Sequence, residues 1–311
     1  MMAKELGFPK RETIEKIWAE YGLDQRSIKE AVEMLKDWLQ LQPHLPKEEG
    51  SLHEARLERW LIRCKNSMER TKQSIDMYYT LKSFSPEMMS DYNIQSKWFK
   101  TISKLGFYTA MPQMTPEYDR VVCFGLLSND PTDFVIEEWC RMALMTFEVR
   151  MCEDYSLRDI FICDMANYTL AHLPKFSFPS MKKVEVCTVK AFSTRLKAFH
   201  IINAPPFAGV FVELIKSILS SKLVARVHVH GKDLTELHKQ VPKESLPTEM
   251  GGCGGSIIDN WNLWLKKLET YQDWFLQHEN VKSDEKKRLE GNAISSDLFG
   301  FEGSFRKLDV D

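Results

Sequence analysis

The sequence predicts an α/β fold: a mainly parallel sheet with helices packed on it, preceded by a small all-helical domain. Three observations carry this. From Val121 onward, short apolar runs alternate with longer amphipathic stretches, the order expected of βαβ units. Residues 10–82 show helical periodicity and no strand signal. Residues 199–226 join an apolar strand, through Asn203-Ala204-Pro205-Pro206, to a helix with one continuous apolar face.

In the helical domain, Ile14, Ile17, Trp18 and Tyr21 form one stripe and Ile28, Val32, Leu35, Trp38 and Leu39 the next. The break falls near Tyr21-Gly22, with Asp24 as N-cap and Pro43 as stop. Leu52 to Leu81 reads as two more helices, the first carrying Arg56, Arg59, Arg63 and Lys65. Residues 82–116 are less regular, punctuated by Pro86, Gly106, Pro112 and Pro116.

Beyond them, Val121–Leu127 is a strand, and Asp130-Pro131 opens a helix to about Cys152. Asp159–Met165 is a second strand, with helical pieces over 178–191. Phe199–Ile202 is a third strand and Val224–His230 a fourth. Between these two lies the striped helix: Phe207, Val210, Phe211, Leu214, Ile215, Ile218 and Leu219, with Lys222 and Arg226 at its far end. Residues 256–277 form a Trp-rich amphipathic helix. The expected divisions are 1–85 (helical), 86–278 (α/β) and a flexible tail over 279–311.

Composition narrows the function. The 311 residues are 43% hydrophobic and 28% charged, with a net charge of −2. A chain of this length buries about 75% of its unfolded surface. A balanced charge argues against a nucleic-acid partner, which needs a basic excess. No stretch approaches the roughly 18 apolar residues of a membrane span. The charged N-terminus lacks an apolar signal core. The seven cysteines are irregularly spaced with no C-x-x-C, so a reducing cytoplasmic compartment is expected. A monomer is expected.

Catalytic and metal motifs are thin. His228 and His230 share a strand face, but no third ligand stands at motif spacing. Met250–Ser256 is glycine-rich before a helix but lacks the G-K-[ST] ending of a phosphate loop. Cys253 has no identifiable base. Glu137, Glu138, Glu153 and Asp154 read as solvated. Neither an enzymatic activity, a cofactor nor a metal is expected. The α/β part is instead rich in large apolar side chains (Phe134, Phe147, Phe161, Phe176, Phe178, Phe192, Phe199, Phe207, Phe211) and in methionines. Such interiors fill a core or adapt to an irregular apolar ligand.

Three motifs in order carry a resemblance. FHIINAPPFAGVFVELIKSILSSKLVARVHVHG is followed by LPTEMGG at 246–252 and preceded by FICDMANYT at 161–169. With RWLIRCKNSMERTK at 59–72, the chain resembles the CRAL-TRIO lipid-binding family over about residues 10–277. The resemblance implies an α/β sandwich around one buried lipid, closed by a gate helix after the N-x-P motif. It places Phe107, Cys140, Phe147, Cys163, Phe176, Val184, Phe192, Phe199, Phe211, Ile215 and Leu219 on the pocket wall. It places Arg195, Lys197, Lys222 and Arg226 where tocopherol-transfer-like members meet phosphoinositide headgroups.

Two departures stand out. The glutamate of members that hold phosphatidylinositol internally is here Thr194, and the usual R-F-L-R-[AG] reads Arg59-Trp60-Leu61-Ile62-Arg63. The expected function is intracellular carriage of a small hydrophobic lipid, such as a retinoid, tocopherol or similar isoprenoid. The carrier docks transiently on anionic, phosphoinositide-containing membranes. The alternative is a clavesin-like phosphoinositide reader without transfer.

Overall fold

The computed structural model describes residues 5–289. The chain opens with helices α1 (Arg11–Ala19), α2 (Gln25–Gln40), α3 (Ser51–Arg63), α4 (Met68–Phe84), α5 (Pro86–Met89) and α6 (Lys97–Leu105). Asp24 caps α2, accepting from Ser27 N at 2.8 Å. Ile17, Leu35, Leu39, Leu57 and Trp60 are buried at the centre of this group, as the stripes require.

The sheet has the order β1-β2-β3-β4-β5. Strand β1 (Gly106–Ala110) is antiparallel to β2 (Asp119–Leu126). Strands β3 (Arg158–Asp164), β4 (Leu196–Ile202) and β5 (Val227–Val229) continue parallel to β2. Sequential parallel strands with right-handed crossovers carry every connecting helix to one face of the sheet. Those connections are α7 (Ile136–Glu153), α8 (Phe178–Glu185), the π-turn Val186–Ala191 and the pair α9 (Ala208–Ile218) and α10 (Ser221–Val224). They stand over Tyr108, Phe124, Phe161 and Phe199, one residue from each of β1 to β4.

Several expectations shift. Strand β1 falls inside the stretch read as irregular. Its five residues are all buried, so no alternation marks it. Helix α7 begins at Ile136, because Asp130 accepts from Thr132 N at 2.9 Å and closes a turn there instead. The gate stripe is broken at Leu219-Ser220, so Lys222 lies on the separate short helix α10.

After β5 come α11 (Thr235–Gln240), α12 (Ile257–Thr270) and α13 (Gln272–Gln277). Trp261 and Trp264 of α12 donate to Ser103 O at 3.1 Å and Ala110 O at 2.9 Å, fixing that helix on β1 and α6. The segment expected to be a free tail is tied down at its start. Ser283 N donates to Tyr79 O at 3.1 Å, and Arg288 makes a bidentate pair with Asp76 at 2.8 and 2.7 Å. The remainder of the expected tail, from residue 290, lies outside the described residues.

The helical group is joined to α7 and the π-turn by buried polar contacts. Trp60 Nε1 donates to Ala191 O at 2.7 Å. Arg56 pairs with Glu148 at 3.2 Å, and Tyr78 donates to the same carboxylate at 2.7 Å.

Candidate lipid cavity and basic recess

A cavity of about 160 Å³ lies between the sheet and the helices above it. Its floor is Tyr108, Phe124, Phe161, Leu196 and Phe199. Helix α7 supplies Ile136, Trp139, Cys140, Ala143, Leu144 and Phe147 at helical spacing. Helix α8 and the π-turn add Met181, Val184, Glu185, Thr188 and Val189, and Tyr168, Phe176 and Thr194 fill gaps. The fourth side is α9 and its exit: Phe211, Ile215, Ile218, Leu219 and Leu223. Phe211 packs edge-on against Phe176 at 5.2 Å, so α9 closes the cavity through aromatic contact.

Of the residues that the resemblance put on the pocket wall, Cys140, Phe147, Phe176, Val184, Phe199, Phe211, Ile215 and Leu219 line this cavity. Three do not. Phe107 is on the opposite sheet face, where its ring lies over Gly125, and Tyr108 takes the inward position. Cys163 shares the face of Phe161 but lies beneath Tyr168, whose hydroxyl reaches its thiol. Phe192 stacks behind Phe147 at 5.4 Å and belongs to the layer facing Tyr78. Burial raises both Cys140 and Cys163 thiols far above their ordinary range, leaving them inert apolar surface.

The hinge of α9 is unusual backbone. Asn203 has φ +50°, and its Nδ2 donates at 2.9 Å to Asp164 Oδ1 at the end of β3. Asp164 also accepts from Ala166 N at 2.9 Å, which anchors the hinge to the sheet. Val210 of α9 is an exposed apolar residue, as are Val135 before α7, Leu170 and Phe178 at the start of α8.

A second, polar recess of about 370 Å³ adjoins the cavity, sharing Val189 and Thr194 as a partition. Its lining includes Arg63, Lys65, Arg70, Lys190 and Arg195 and no carboxylate. The neighbouring Arg195 is the main influence lowering the ammonium pKa of Lys65, with Lys222, Arg70 and Arg158 contributing. Like charges gathered this closely lower one another's ammonium pKa, although Arg63 and Arg158 are themselves paired with Asp159 and Asp119.

The four basic residues expected to meet headgroups differ in availability. Lys222 is exposed and has no ion pair among the described residues. Arg195 is half-buried, with its guanidinium near the Tyr21 ring and bonded to the Tyr21 hydroxyl. Lys197 pairs with the buried Asp119 at 3.0 Å, a carboxylate shared with Arg158. Arg226 is turned inward and donates to Leu196 O. Lys65, just past the departing Arg59–Arg63 motif, was not among the expected residues. Arg59 and Arg63 themselves are buried and occupied: Arg59 packs over Tyr155 at 3.8 Å and Arg63 donates to Phe192 O at 3.3 Å.

Other candidates resolve structurally. Asp154 is fully buried and holds Arg120 and Arg150, so it is not a solvated carboxylate. Gly252 packs where a Cβ would collide with the Leu246 carbonyl, which accounts for glycine in that loop. His228 and His230 stack with His200 of β4 at centroid distances of 5.0 and 5.2 Å. Burial, then the two neighbouring imidazoles, pulls His200 down to about 3. No group of three side chains among the described residues is arranged to hold a metal ion.

Residues 106–252 match the CRAL/TRIO domain, and residues 24–99 match the Pinta-like UBA domain. The human alpha-tocopherol transfer protein-like protein is 30% identical over 242 residues, spanning 76% of this chain and 69% of that one. The chain belongs to the CRAL/TRIO family. Human clavesin-2 is 26% identical over 189 residues, 59% of this chain and 54% of its own. The crystal structure of Sfh5 overlays with a TM-score of 0.49 at 13% identity, covering 81% of this chain and 99% of that one. The CRAL/TRIO family is one of lipid binding and transfer. No helix among the described residues is long and apolar enough to cross a membrane.

Proposed function

We propose that this protein carries one small hydrophobic lipid, of retinoid, tocopherol or similar isoprenoid size, and exchanges it at anionic membranes. The observation that carries the reading is the apolar cavity closed by α9 beside a carboxylate-free basic recess. Apolar burial, at roughly 25 cal/mol per Å², holds the lipid. Its chemistry is physical, with no bond made or broken. Small-molecule pockets typically measure about 300–1,000 Å³, so admitting a whole isoprenoid requires α9 to swing outward from 160 Å³. The exposed Val210 of α9 suits the membrane interface, and Lys65, Arg195 and Lys222 suit its phosphates. A membrane that contacts these groups better in the open form shifts the population toward it.

A Lys65→Ala/Lys222→Ala double variant tests the division of labour. Each basic residue near an anionic surface contributes about 1 kcal/mol, so losing two should cut transfer to phosphoinositide vesicles roughly thirty-fold. Affinity for free lipid should stay unchanged. Equal loss of both would sink the division. The recess also favours a second reading, a phosphoinositide reader that does not transfer lipid. Vesicle binding selective for phosphoinositides, with no movement of a fluorescent lipid between vesicles, would select it.

A further inference from the structure

Three imidazoles meet where β4 pairs with β5. His200 of β4 stands in register with His228 of β5, and their rings stack at 5.0 Å with 20° between the planes. The ring of His230, just past β5, lies 5.2 Å from that of His200 at 27°. His200 Nδ1 and His230 Nε2 are 3.0 Å apart, so one ring donates to the other. His200 is fully buried, and its Nε2 has no partner among the described residues.

The charged groups around this cluster are engaged elsewhere. On the β3 side the apolar Ile162 stands opposite His200, and Asp164 accepts from Asn203 and Ala166. Lys197 of β4 pairs with Asp119, and Arg226 before β5 donates to Leu196 O. After β5, Lys232 is exposed and Asp233 accepts from Thr235 N at 2.9 Å. Glu236 of α11 acts on His230, but it is exposed and pairs with Lys239 at 2.5 Å.

The same strand pair holds the hinge of α9. His230 N donates to Ile201 O at 2.7 Å, Asn203 N to Gly231 O at 3.2 Å and Ala204 N to His230 O at 3.3 Å. Pro205 and Pro206 have no amide hydrogen, so Asn203 and Ala204 carry the only amides of residues 203–206 that can be held. Strand β5 is the last of the sheet, three residues long and paired with β4 alone.

We propose that His200, His228 and His230 form an acid-sensitive latch: protons taken up by the cluster part β5 from β4 and free the hinge of α9. One proton can be shared along the 3.0 Å bond, but a second sets two N–H donors and two positive rings face to face. Burial, then its imidazole neighbours, lowers His200 to about 3, and burial, then His228, lowers His230. Both lie below 6.5, so the shut latch binds fewer protons than the open one. It holds above 6.5 and weakens as pH falls toward the lowered values. Release of a lipid by this route rests on the carrier reading above; the latch itself does not.

The test is hydrogen exchange of the full chain without added lipid, read by mass spectrometry at pH 7.0 and 5.5 and corrected for the intrinsic rate. Peptides covering 199–206 and 226–232 should lose protection at least about ten-fold at the lower pH, the linkage of one histidine that returns to 6.5 on opening. That loss should be unmoved by about 1 M urea, the mark of a local opening. His200→Phe/His230→Phe replaces both bonded rings by apolar ones of like shape and should cut the loss below about three-fold. His230→Gln, which keeps a donor for His200, should at least halve it and serves if the double variant does not fold. Equal wild-type protection at both pH values would overturn the proposal. So would hinge exchange that rises with urea as steeply as that of α12, or a folded double variant that keeps the ten-fold loss. Each of these results leaves the carrier reading standing.

Discussion

His53 and His200 make acid stability a matter of single residues. Burial is the first cause for each, holding His53 at about 4 and His200 at about 3. Both are lowered relative to 6.5, so between those values and 6.5 the unfolded chain binds more protons than the folded one. Stability therefore rises with pH across that window and is lost as pH falls below about 6.5, by roughly 2 kcal/mol per histidine at pH 5. Glu48 acts lower. Its carboxyl is held at about 2: burial, the largest influence, pushes it up but is outweighed by His278, Arg56 and Tyr79 together, so its contribution disappears as pH drops from the usual carboxylate range toward 2. Thermal midpoints from pH 7 to 4 check this. A flat profile between pH 6.5 and 5 would contradict the histidine assignment. None of this is legible in the sequence, because His200, His228 and His230 meet only through the pairing of β4 with β5. The same holds for the basic residues: Lys197 and Arg226 look equivalent to Lys222 until Asp119 and the Leu196 carbonyl come into contact with them.

At the scale of elements, the gate was the most readable part. Phe211, Ile215 and Leu219 repeat at helical spacing, and helical period fixes a face without help from the rest of the chain. Strand faces were harder. In β1 every residue is buried, so period 2 carries no signal, and Phe107 and Tyr108 exchange roles. Cys163 and Phe192 fall behind Tyr168 and Phe147, a matter of layer depth that spacing does not encode. The hinge yields its own expectation. Asn203 sits in left-handed backbone, where a Cβ-bearing residue other than Asn or Asp costs roughly 1–2 kcal/mol. Asn203→Ala loses this and the Asp164 bond together, whereas Asn203→Gly loses only the bond. Asn203→Ala should therefore lower the thermal midpoint by several degrees and Asn203→Gly by less. Equal effects would show that the side-chain bond, not the backbone, holds the hinge.

Over the whole molecule, the two units work as one body. Glu148 of α7 is held by Arg56 and Tyr78, so the helical group braces the very helix that lines the cavity. Removing one partner of that buried pair, as in Arg56→Ala, costs about 3–5 kcal/mol. The chain beyond α13 adds a strap through Arg288 and Asp76 across α4. The cavity's α7 wall is thus braced from the helical side, whereas α9 ends in a break at Leu219-Ser220. The central claim is that this cavity holds one lipid. Native mass spectrometry of the purified full chain, with extraction of what travels with it, addresses that claim most directly. The account predicts one apolar lipid per chain, displaced when Ala143 on the α7 wall is enlarged to Phe. A chain that carries nothing and takes up no member of an isoprenoid and fatty-acid panel would contradict it.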